Sequence, residues 1–74
     1  MREKIITYKQ LLGSELKGMR KRKHLSQREL AEKSGIDRTY LSAIENGKQN
    51  PTLKVLMQIA EALGVELSVG FVTA

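Results

Sequence analysis

Few side chains in this 74-residue chain could make or break bonds. There is no cysteine, which removes thiolate nucleophiles, disulfides and thiolate metal sites together. One histidine cannot complete a zinc site of the usual kinds. That histidine, His24, follows Lys21, Arg22 and Lys23, which marks it as a solvated turn residue rather than a general base. What remains is suited to recognition. Arg38, Thr39, Ser42 and Ala43 lie close together at helical spacing. One helix face would then present a forked donor, a threonine methyl, a short hydroxyl and an alanine methyl. Such a set reads polar and apolar edges and activates nothing. The expectation is a binding protein, not an enzyme, with no catalytic residue, no metal and no cofactor.

Charge narrows the partner. The net charge is +5. Residues 1–25 hold Arg2, Lys4, Lys9, Lys17, Arg20, Lys21, Arg22 and Lys23 against only Glu3 and Glu15. A basic first third beside a nearly neutral remainder suggests a polyanion. Size excludes other classes. A chain this short buries about 60% of the surface its unfolded form exposes. That leaves one modest core and little room for a small-molecule pocket of several hundred Å³. No segment approaches the roughly 20 apolar residues of a membrane span. Met1–Ile6 has no apolar stretch of signal-peptide length, so the expected location is the cytoplasm, with no membrane partner.

To share one face, the recognition residues need a helix with fixed ends. Three starts repeat one device: a capping residue with apolar residues one before it and four after it. Thr7 has Gln10 three residues on and sits between Ile6 and Leu11; Ser26 has Glu29 and sits between Leu25 and Leu30. Both read as capping boxes with hydrophobic staples. Asp37 between Ile36 and Leu41 reads as an Asp cap with a staple. Gly35 and Gly47 read as helix stops. Pro51 precedes Thr52, the cap of a fourth helix that ends at Gly64. The spacing predicts helices over 8–23, 27–34, 38–46 and 53–63. Gly13 and Gly18 weaken the first by up to about 1 kcal/mol each. The predicted core stripes are Leu12, Leu16 and Met19; Leu30 and Ala31; Leu41 and Ile44; and Leu53, Leu56, Ile59, Ala60 and Leu63.

Residues 27–46 carry the most specific pattern. Two short helices meeting steeply across a tight turn need a small residue at the crossing, here Ala31. They also need a residue free to take positive φ in the turn, here Gly35, and one apolar face on the second helix, here Ile36, Leu41 and Ile44. On Leu25-Ser26-Gln27-Arg28-Glu29-Leu30-Ala31, Ser42-Ala43-Ile44-Glu45-Asn46-Gly47-Lys48 and Asn50-Pro51-Thr52-Leu53, the chain resembles the lambda-repressor-like, or Cro/Xre-type, helix-turn-helix proteins. The resemblance spans about residues 12–64. His24 departs from it, standing where the family often has glycine.

The resemblance implies double-stranded DNA as partner. It also implies that Gln27 binds a phosphate and braces the recognition helix, that Ser26 offers a second phosphate contact through its amide or hydroxyl, and that Asn46 and Lys48 grip phosphates. Arg20 and Glu45 match a pair that forms an ion bridge between the first and third helices. With Leu41 and Ile44 facing inward, Arg38, Thr39, Ser42 and Ala43 face outward at the end that enters the major groove in this motif. Arg38 suits guanine O6 and N7, and the methyls of Thr39 and Ala43 suit thymine. Tyr40 packs inward with its hydroxyl at a phosphate.

The tail changes period: Val65, Leu67, Val69 and Phe71 alternate with Glu66, Ser68 and Gly70. The expected fold is mainly α, a compact bundle of four helices in a helix-turn-helix domain over 1–64. A tail over 65–74 follows, whose strand (66–72) pairs across a homodimer through Leu67, Val69 and Phe71. The function so implied is a dimeric transcriptional regulator, a repressor on a palindromic operator, associated with the nucleoid. Two alternatives accompany it. The tail resembles the dimerising strand of HipB-type antitoxins, which would add a toxin protein as partner. A protein-interaction module without DNA binding would keep the fold, but Gln27, Arg38 and Lys48 argue against it.

Overall fold

The computed structural model describes residues 7–73. Four helices follow in order: α1 Tyr8–Arg22, α2 Gln27–Ser34, α3 Arg38–Glu45 and α4 Leu53–Leu63. The caps are those read from the sequence. Thr7 and Ser26 close capping boxes with Gln10 and Glu29. The Asp37 carboxylate accepts from the Tyr40 amide at 3.1 Å, and the Thr52 hydroxyl accepts from the Val55 amide at 3.1 Å. Ile6, the expected staple partner at the first cap, lies outside the described residues, as do Arg2, Glu3 and Lys4. α1 and α3 each end one residue earlier than the periodicity predicts, because Lys23 and Asn46 leave helical geometry and serve as C-caps.

α1 packs on α3, while α2 packs on both α3 and α4. The core gathers Leu16, Leu30, Ala31, Ile36, Leu41, Ile44, Ile59 and Leu63. Between α2 and α3 the chain reverses at Gly35, whose φ of 73° lies in the left-handed region that costs glycine least. The Ser34 hydroxyl accepts from the Ile36 amide at 3.2 Å and completes the turn. His24 follows the Lys23 cap of α1 with φ 58°, taking without glycine a left-handed geometry that histidine tolerates better than most residues.

Two expectations are corrected. Leu53, assigned to the core stripe, is 54% exposed. It opens α4 on the flank beside Met57, and the surface α4 buries against α2 does not reach that far round. Leu12, Met19 and Leu56 are only half-buried, because α1 and α4 leave an apolar cleft of about 220 Å³ between them. The second correction concerns the tail. No strand occurs among the described residues. Leu67 reaches the rim of the cleft, but Val69 is largely exposed and Phe71 wholly so. A strand needs an edge to pair with, and a single all-helical chain offers none. No helix of the described residues is long and apolar enough to cross a membrane.

Candidate nucleic-acid interface

α3 is pinned from behind. Leu41 and Ile44 are completely buried, which fixes the helix's rotation and turns the opposite side outward. On that side Arg38 and Thr39 are exposed, and Ser42 and Ala43 half-exposed. Gln27, at the start of α2, joins Arg38, Thr39 and Ser42 around one open polar concavity. Residues from two helices thus share a single exposed polar surface. Tyr40 is half-buried against the core.

The rotation is locked by a buried ionic network. Arg20 on α1 donates from Nε to Glu45 Oε2 at 2.7 Å and from Nη2 to Glu45 Oε1 at 2.9 Å. Its third donor, Nη1, reaches the Leu25 carbonyl at 2.8 Å. Glu45 Oε1 also accepts from Gln27 Nε2 at 3.1 Å. The Glu45 carboxylate in the last turn of α3 therefore joins α1 and α2, and Arg20 carries the tie on to the loop before α2. Burial pushes the Glu45 carboxyl up. The hydrogen bonds from Arg20 and Gln27, with the positive charge of Arg20 and Lys17, outweigh it and hold the group below its ordinary value. Hydrogen bonding to Glu45 raises the Arg20 guanidinium in turn, against the opposing effect of burial. Every buried side-chain nitrogen and oxygen among the described residues has a partner.

The remaining expected contacts are arranged unevenly. Gln27 uses one amide hydrogen on Glu45 and keeps a second. The Ser26 amide is already donated to Glu29 Oε1 at 2.9 Å, and the Ser26 hydroxyl accepts from the Glu29 amide at 3.0 Å. Only the hydroxyl hydrogen is left for another acceptor, so the expected choice between amide and hydroxyl narrows to the hydroxyl. The bond from the Ser26 backbone amide, helped by the nearby Ser26 side chain, holds the Glu29 carboxyl below its ordinary value. Asn46 is exposed at the α3 C-cap, and its side-chain amide donates to the Ser42 hydroxyl at 3.5 Å. Lys48 is exposed just beyond, with its backbone amide donating to the Ala43 carbonyl at 2.9 Å.

One positioning residue escapes sequence reasoning. Gly13 on α1 is buried against the end of α3, where a Cβ would lie 2.3 Å from the Ile44 carbonyl oxygen and 2.7 Å from that of Glu45. The bare backbone of α1 lets it seat directly on the C-terminal carbonyls of α3. A glycine inside an otherwise well-formed helix was the available signal. Among the described residues no cluster of acidic or histidine side chains could hold a metal.

Comparison with known proteins agrees with this geometry. A family model described as helix-turn-helix matches residues 16–69. A 10 kDa protein of the ImmF control region of Bacillus phage phi105 is 48% identical over 58 residues, covering 78% of this chain and 64% of that protein. An uncharacterised HTH-type transcriptional regulator of Mycobacterium tuberculosis is 45% identical over 62 residues, covering 84% of this chain and 44% of its own length. The chain thus spans less than two thirds of either relative. The restriction-modification controller protein C.Esp1396I, solved as a tetramer in complex with its natural 35 base-pair operator, superimposes with a TM-score of 0.77 at 35% identity over 82% of both chains. The family match runs through most of the sequence and includes α2, the turn and α3, and the chain therefore belongs to the helix-turn-helix family.

Proposed function

We propose that this chain is a DNA-binding transcriptional regulator, a dimeric repressor that reads a palindromic operator in the major groove. The observation that carries the reading is the α3 face: Arg38, Thr39 and Ser42 turned outward beside Gln27, over a wholly buried Leu41 and Ile44. Arg38 donates to guanine O6 and N7, the methyls of Thr39 and Ala43 meet thymine, and Ser42 adds a short polar contact. Gln27, the Ser26 hydroxyl, Tyr40, Asn46 and Lys48 hold phosphates and set the register. Arg20 and Glu45 position α3 and Gln27 without touching DNA. The phage control-region protein and the operator-bound controller protein support the same reading.

In this reading residues 1–64 form the DNA-binding domain and residues 65–74 contribute to dimerisation through Leu67, Val69 and Phe71. A second copy would supply the edge the tail lacks, and two recognition helices about 34 Å apart would meet successive major-groove turns. The antitoxin alternative rested on a strand within the tail, and nothing in the fold or the relatives favours a toxin partner. A regulator of this kind catalyses no reaction and works where the DNA is, in the cytoplasm at the nucleoid.

The test is salt dependence. A dimer neutralising roughly six phosphates will show a slope of about −5 when log affinity is plotted against log salt. Fluorescence anisotropy over a range of potassium chloride concentrations measures it, and a slope near zero rejects the reading.

A further inference from the structure

α4 carries its charges the wrong way round for its own dipole. A helix favours acidic residues in its first turn and basic residues in its last. α4 has none of either: Lys54 stands in its first turn and Glu61 in its last. Both are exposed, and neither forms an ion pair among the described residues. They lie seven residues apart, about 10 Å along the axis, too far to pair with each other. Both placements are mildly unfavourable to the helix itself, and a partner that set an opposite charge against each would relieve them.

The surface beside them is apolar. Leu53 is 54% exposed and Met57 58%. Leu53, Met57, Glu61 and Lys54 share an arc of about 100° around the helix. The adjoining groove continues onto the tail through Val65, Leu67 and Val69. This face is therefore continuous with the segment assigned above to dimerisation.

We propose that the face docks on the same face of a second copy of this chain, α4 antiparallel to α4, about a two-fold axis between Met57 and Gln58. That axis sets Lys54 of each copy opposite Glu61 of the other. Both pairs are of opposite sign, and a two-fold interface makes both at once. Each lysine then lies at the C-terminal end of the opposing helix and each glutamate near its N-terminal end, where the opposing dipole favours them. Leu53 and Met57 close over the apolar centre. The proposal rests on the dimeric reading and assigns the surface that reading leaves open.

Charge reversal tests it on the full chain at low salt, by sedimentation equilibrium. Lys54→Glu and Glu61→Lys will each raise the dimer dissociation constant about tenfold, since either change turns two attractions into two repulsions. The double variant K54E/E61K will return to within about twofold of the starting value. Each single change improves α4's match to its own dipole, so weakened association cannot be blamed on a weakened helix, and circular dichroism will show the fold retained. Losses that add in the double variant overturn the docking. A dimer indifferent to either reversal also overturns it and leaves the dimeric reading standing. An unmodified chain that stays monomeric at every concentration overturns both.

Discussion

Replacing Glu45 with alanine will lower the stability of the fold by about 3–4 kcal/mol, a large share of what a domain this small possesses. The Arg20 side chain is 9% exposed and that of Glu45 1%. Without the carboxylate, a buried guanidinium keeps only its bond to the Leu25 carbonyl, and an unpaired buried charge is the expensive outcome. Replacing both partners with apolar residues, as in Arg20→Met with Glu45→Leu, will recover most of the loss because no charge is then stranded. The pH dependence carries a definite sign. The folded-state carboxyl lies below its ordinary value. Its contribution is fully present above the unfolded-state value near 4.3 and is lost as pH falls through the folded-state value. Urea unfolding between pH 3 and pH 7 will show the native chain losing more stability in acid than Glu45→Ala does. Equal acid sensitivity would remove the ion pair from the account.

The second large effect separates two glycines of one helix. Gly13→Ala will destabilise by about 2–3 kcal/mol net, although alanine is the better helix former. Its new methyl meets backbone carbonyls of α3 at 2.3 and 2.7 Å, and a backbone cannot move aside as a side chain can. α1 must back away from α3, and the Arg20 bridge with it. Gly18→Ala on the same helix meets only the Arg22 guanidinium at 3.6 Å. It will stabilise by up to about 1 kcal/mol, the ordinary propensity gain. Thermal unfolding of the two variants side by side will give opposite shifts in Tm. Shifts of the same sign would mean that α1 does not seat on α3 as described.

These contrasts mark what the sequence could express. Helix starts were legible because a cap acts within three residues: Ser26 and Glu29 announce their own hydrogen bonds. The outward set on α3 was legible for a similar reason, since burial of Leu41 and Ile44 fixes which side Arg38 and Ser42 occupy. The Arg20–Glu45 bridge joins residues 25 apart, and it was reached through family resemblance rather than spacing. Gly13 was read as a weakness because its purpose lies in carbonyls on another helix. Leu53 fitted the α4 stripe by spacing, yet a spacing cannot say how wide a face the neighbouring helix covers. The tail's alternation is a local property, whereas a strand belongs to a pair of segments, and one chain supplies only one.

The central claim is that α3 reads bases with Arg38, and one titration addresses it directly. The native chain, Arg38→Ala and Lys48→Ala are each bound to the operator and to a panel of its single-base variants at fixed salt. Arg38→Ala will lose about 1–3 kcal/mol of discrimination at one base pair in each half-site and keep its preferences elsewhere. Lys48→Ala, altered beyond the end of α3, will weaken every sequence by the same factor. If Arg38→Ala instead weakens all variants equally, Arg38 holds a phosphate and the assignment of base reading to it is wrong.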